Sequence, residues 1–173
     1  MRLVSLLLIW ALPSGLAAQD LSQQLARLPD GTVRLSFAAR AGVCGSGEHN
    51  INVSDPGDEW EADCADQPVR VALQLSGRRV VAVRTYVGGR WRPDSAAKDL
   101  GMVSAPEASR YFLELAGRPE ELSGDPVFPA ALADSAVIWP ALIRLARDSR
   151  LPEERRRTAV FWLSQQAGAV AGR

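Results

Sequence analysis

The sequence predicts an α+β fold, with a small antiparallel β-sheet in its first half and a helical segment in its second. Three observations carry that expectation. Apolar residues recur with period two through much of residues 32–87, the pattern of strands with one buried face. From Ser104 onward the apolar spacing changes to three and four residues, which is the period of a one-sided helix. The two textures do not interleave, so strands precede helices and βαβ units are not expected.

Ahead of both lies MRLVSLLLIWALPSGLAAQ, with Arg2, an apolar run at residues 3–12, the breakers Pro13 and Gly15, and small residues at Ala17 and Ala18. That is the layout of a secretory signal peptide. The run has about ten residues where a membrane span needs about 20. Cleavage after Ala18 is therefore expected, removing residues 1–18. The mature chain would be exported, to the periplasm or the cell exterior, with no membrane span. The full sequence has a formal charge of zero, which gives no electrostatic reason to expect nucleic acid or an anionic membrane as partner.

The mature chain would begin with a short helix capped by Asp20, its apolar positions Leu21, Leu25 and Leu28 spaced by four and three. Pro29-Asp30-Gly31 turns it into a strand where Val33, Leu35 and Phe37 alternate with Arg34 and Ser36. Residues 41–67 are glycine-rich and then acidic, with one short strand placed around Ile51 and Val53. Val69, Val71, Leu73 and Leu75 face the core from the next strand. Across a turn at Ser76-Gly77-Arg78, Val81, Val83, Thr85 and Val87 do the same, forming a hairpin. A polar linker over 92–103 separates a β-rich part, residues 19–92, from a helical part, residues 104–173. In the latter, Ser104 and Glu107 form a capping box, and Ala108, Phe112 and Leu115 a buried stripe. A short helix follows Asp125-Pro126. Another opens at Ser135 or Trp139 with Ile138, Leu142 and Leu145 inward, and the last begins at Pro152.

The stretch 139–168 carries Pro140, Leu142, Leu145 and Asp148, then Arg156, Ala159 and Leu163. These residues resemble a single HEAT-like helical repeat: a first helix with proline, an aspartate at its end, and an Arg-x-x-Ala-x-x-x-Leu second helix. The family's usual valine before that arginine is replaced by Arg155. Such repeats pack and bind, so the resemblance implies a binding surface and no chemistry. The second helix is apolar all round at 159–163, with Phe161 some 160° from Leu163. Phe161 and part of Trp162 thus need a further cover, expected first from the helix around Phe112, otherwise from a partner or a missing next repeat.

No catalytic set assembles. Ser95-x-x-Lys98 matches a Ser-x-x-Lys nucleophile motif, but its companion motifs are absent and a linker is the simpler account. The acidic residues of 55–66 lack calcium-loop spacing. The arginines of 144–157 are offset by Asp148, Glu153 and Glu154, as on a solvated helix face. Tyr86, Arg90, Trp91 and Arg92 form an aromatic and arginine grouping of the kind enriched in interfaces, although domain packing would also account for it. The candidate binding residues are accordingly Phe161, Trp162, Trp91 and Tyr86. The expected function is an exported, non-catalytic binding or scaffolding protein with another protein as partner and no cofactor or metal. The alternative is a small envelope hydrolase using the acidic stretch and His49, the single histidine.

In an exported chain Cys44 and Cys64 are expected to pair. A zinc site would need about four ligands. Closing a loop of about 20 residues would stabilise the fold by about 3 kcal/mol. Thiol titration of the denatured, non-reduced mature protein should find no reactive thiol; two would remove the disulfide.

Overall fold

The structure, a computed structural model, describes residues 20–48, 51–53 and 67–171, with backbone alone at 52 and 168–171. The expected signal peptide, His49, Cys64 and the acidic stretch 55–66 lie outside these residues, and with them the disulfide and the hydrolase reading.

Strand β1 (Gly31–Phe37) occupies an interior position in a four-stranded sheet. It pairs antiparallel with β4 (Val69–Ser76), which pairs antiparallel with β5 (Arg79–Val87). A small antiparallel ribbon of β2 (Val43–Gly45) and β3 (Ile51–Val53) precedes them. On its other side β1 is joined in parallel by β6 (Lys98–Met102), giving the order β5-β4-β1-β6. The sheet is therefore mixed rather than wholly antiparallel, and the expected polar linker contains a strand. Its sequence KDLGM has no alternating apolar face, since none of its residues is buried, and Gly101 sits at φ +70°. Pairing with β1 makes it a strand; its side chains do not.

The β4–β5 hairpin turns through Gly77 and Arg78, both at positive φ (56° and 62°), as the tightest two-residue turns require. Asp30 clasps this turn, accepting from the Gly77 and Arg78 N–H groups at 2.9 and 3.3 Å. Those two bonds hold its carboxyl below the usual aspartate range. Farther along, the register shifts so that Gln74 faces Ala82 but Leu75 faces Val80. The extra residue, Val81, bulges outward and is exposed, so it leaves the inward set expected for this strand. Segments from outside the sheet cap the free edge of β5. Ser123 exchanges bonds with Val81 and Val83 (3.0 and 2.8 Å), and Gly47 exchanges two with Val87 (2.9 and 3.1 Å).

The helices cover one face of the sheet. They are α1 (Leu21–Ala26), α2 (Ala105–Ala116), α3 (Val127–Leu132), α4 (Trp139–Arg147) and α5 (Glu153–Ala171). Val33, Leu35, Phe37, Val71 and Leu73 from the strands join Phe112, Leu115, Leu132 and Leu142 in one contiguous core. Phe37 and Phe112 lie 6.1 Å apart, centroid to centroid. None of the described helices is long and apolar enough to cross a membrane.

Ser104 caps α2 as expected, accepting from the Glu107 N–H at 3.3 Å. Glu107 does not complete the box. Its carboxylate instead accepts from the Leu21 N–H at 2.8 Å, and Arg110 meets Asp20 at 3.2 Å, so two residues of α2 hold the start of α1. The stripe Ile138, Leu142 and Leu145 is buried as expected. In α5, Arg155, Ala159 and Trp162 face inward at spacings of four and three. Phe128 of α3 stacks on Trp162 at 5.9 Å, which buries Trp162 but leaves Phe161 52% exposed beside Val160. The upstream helices thus cover Trp162 and do not reach Phe161.

Arg155, the residue that departs from the HEAT-like pattern, closes the other end of α2. Its guanidinium donates to the carbonyls of Ala116 (3.3 Å), which a helix end leaves without a partner, and of Arg118 and Glu120 (3.4 Å) in the segment that follows. Replacing it by leucine strands these acceptors. Because bonds to charged groups contribute about 1.5–3 kcal/mol each, Arg155→Leu should lower the urea-unfolding free energy by at least about 2 kcal/mol. Arg157→Leu, which removes an exposed pair with Glu153, should change it by about 0.5 kcal/mol or less.

Candidate functional site on the open face of the sheet

The strand register decides which side chains meet on the face turned away from the helices. Reading across β1, β4 and β5, three rows face outward: Thr32, Gln74 and Ala82; Arg34, Ala72 and Arg84; Ser36, Arg70 and Tyr86. Arg34 and Arg70 are diagonal neighbours, a spacing of about 7–8 Å between backbones that long side chains bridge easily. The small side chains of Ala72 and Ala82 form a low floor between taller residues. The loop carrying Arg90, Trp91, Arg92 and Asp94 rises along one side and residues 46–48 along another, enclosing a hollow of about 800 Å³.

Trp91 is the hub of this hollow. The Arg70 and Arg34 guanidinium carbons lie 4.7 and 4.9 Å from its ring centroid, and Tyr86 meets it edge-on at 5.3 Å. Arg70 also lies 5.4 Å from the Tyr86 ring. Contacts of this kind stabilise by about 0.5–2 kcal/mol each, more as they are desolvated. Arg70 is 6% exposed and donates from Nε to the Gly88 carbonyl at 2.7 Å. Burial pulls its pKa below the usual arginine value, the neighbouring Tyr86 opposes that, and the Arg34 charge adds to it. Arg34 donates to the Arg92 carbonyl at 3.0 Å and pairs with Asp94 at 3.5 Å, while its buried Nε has no hydrogen-bond partner among the described residues. Asp94 in turn accepts from the Ala96 N–H at 3.0 Å, which fixes the loop.

Among the described residues, five arginines (34, 70, 84, 90 and 92) line the hollow against two carboxylates, Glu48 and Asp94, although the chain as a whole is neutral. A concave, cationic surface with an aromatic wall is suited to binding and orienting a ligand. Among the described residues no three histidine, cysteine, aspartate or glutamate side chains converge as metal ligands.

Of the expected binding residues, Tyr86 and Trp91 come together here. Phe161 and Trp162 touch each other on α5 at 5.3 Å, one exposed and one buried, and neither lines this hollow. Cys44 lies in β2, whose strand leads directly to Gly47 at the rim. Ser95 and Lys98 are exposed, and Lys98 opens β6. Arg34 and Arg70 are the residues sequence reading did not select. Each is one polar member of an alternating strand, and only the register places them side by side. Comparison of the chain with models of protein families, with curated proteins and with solved structures returns no match.

Two glycines let the loop pass over the arginine. Gly89, at φ +70°, has the position of a missing Cβ only 3.0 Å from Arg70 Nη2, and Gly88, at φ +60°, has its own inside contact distance of the Gln67 side chain and the Gly45 carbonyl. Positive φ alone costs a side chain about 1–2 kcal/mol. Gly89→Ala should lose about that much in denaturant unfolding, and Gly88→Ala distinctly more. The reverse order would contradict the close approach at Gly88.

Proposed function

We propose that this chain is an exported, non-catalytic binding protein whose partner seats on the open face of the sheet. The observation that carries the reading is the Arg34–Trp91–Arg70 cluster. Two arginines, one of them buried, are stacked on a single tryptophan in a concave site that one face of the sheet leaves free of helices. Arginine and tryptophan held rigidly in this way are the side chains that dominate binding energy at interfaces. Export is supported by the signal-like residues 1–18, and the HEAT-like pair α4 and α5 acts in this reading as a buttress, through Arg155 and Trp162. The exposed pair Val160 and Phe161 supports a second reading, in which the helical surface holds the partner.

The two readings separate by cross-linking capture from envelope extracts of the source cells, with folding of each variant checked by circular dichroism. Trp91→Ala should reduce recovery of the captured partner at least tenfold, whereas Phe161→Ala should leave it within twofold. Loss on Phe161→Ala with retention on Trp91→Ala would move the site to α5.

A further inference from the structure

The geometry points to an oxyanion, a carboxylate or a phosphate group, as the part of the ligand that sits between Arg34 and Arg70. This deepens the binding reading above and rests on it.

Two like charges on diagonal positions of one face repel, and both are drawn over the same ring. Arg70 uses Nε on the Gly88 carbonyl, and among the described residues no carboxylate lies within ion-pairing distance of it. Among the described residues Arg34 has one carboxylate, Asp94, held at 3.5 Å, and no acceptor for its buried Nε. A buried cation without an anion is costly, and an oxyanion seated in the hollow beside both guanidinium groups would relieve that cost. Both arginines line the hollow, so a ligand seated there lies beside both side chains. A guanidinium presents its N–H groups as a planar fork that matches the paired oxygens of carboxylate or phosphate. Contact with Trp91 restrains the guanidinium before any ligand arrives, which reduces the ordering cost of binding. Arg84, Arg90 and Arg92, all exposed at the rim, add an attractive field without filling the space. The hollow, at about 800 Å³, is in the range of sites for small ligands or single side chains.

Arginine side-chain NMR of the purified mature protein tests this directly, following the Nε–Hε resonances at constant ionic strength. The probes are inorganic phosphate in one arm and acetate and citrate in another, with chloride as the control. The expected result is a saturable shift at Arg34 and Arg70, assigned through Arg34→Gln and Arg70→Gln, in at least one of the oxyanion arms and none with chloride. The arm that responds identifies the source, phosphate or carboxylate. Arg157, exposed on α5, should not shift. Arg34→Lys, which keeps charge and loses the fork, should weaken binding at least tenfold. Arg84→Gln, at an exposed rim position that the fold does not depend on, should weaken it several-fold. Equal shifts at every exposed arginine, or no saturable shift at Arg34 and Arg70, would overturn the assignment. Oxyanion binding that persists when partner capture fails would leave the oxyanion site standing and remove the protein-partner reading. Capture that persists without oxyanion binding would do the reverse.

Discussion

The structure depends on the alignment of β1 with β4 and of β4 with β5. The side-chain period of a strand is two, so a slip of one residue would exchange the faces of the sheet. Val33, Leu35, Val71 and Leu73 would turn to solvent, and Arg34 and Arg70 would be driven into the core. The core and the candidate site are therefore two consequences of one register. Several contacts hold it: the Gly77-Arg78 turn fixes β4 against β5, and Asp30 ties that turn to the start of β1. The bulge at Val81 absorbs one residue without disturbing the pairs nearer Arg70 and Tyr86.

The helices are joined to one another by polar contacts as well as by the core. Glu107 and Arg110 hold α1 to α2, the Ser109 hydroxyl donates to the Ala130 carbonyl of α3 at 3.1 Å, and Arg155 closes the end of α2 from α5. Glu107 and Arg155 satisfy backbone groups at helix ends, which is where such groups lack partners.

The alternating strands, the Asp20 and Ser104 caps, and the inward stripes of α2 and α4 were legible from local periodicity, because each depends on neighbours within one turn or one strand. The strand β6 was not, since Lys98, Asp99 and Gly101 carry no strand preference and are ordered by β1 alone. Glu107 read as the second half of a capping box because the motif is local, whereas its partner Leu21 is 86 residues away. The site was half legible. Tyr86 and Trp91 stood out as aromatic residues near arginines, but Arg34 and Arg70 belong to strands far apart in sequence, and no local pattern links them. Phe161 was recognised as surplus to its own hairpin, and what decides its exposure is the distant choice of Phe128 to stack on Trp162 instead.

Ser123 closes the edge of β5, Leu132 accepts from the Arg40 N–H at 2.8 Å, and Asp134 donates to the Ala38 carbonyl at 3.0 Å. A chain that is synthesised or threaded from its N-terminus thus presents its strands about 40 residues before the segment that seals β5. Until then the hairpin edge is an open template for pairing with another copy. Contacts this distant in sequence also slow the search for the native state. The first half of the molecule can form early, but it becomes safe from self-association only when the second half arrives.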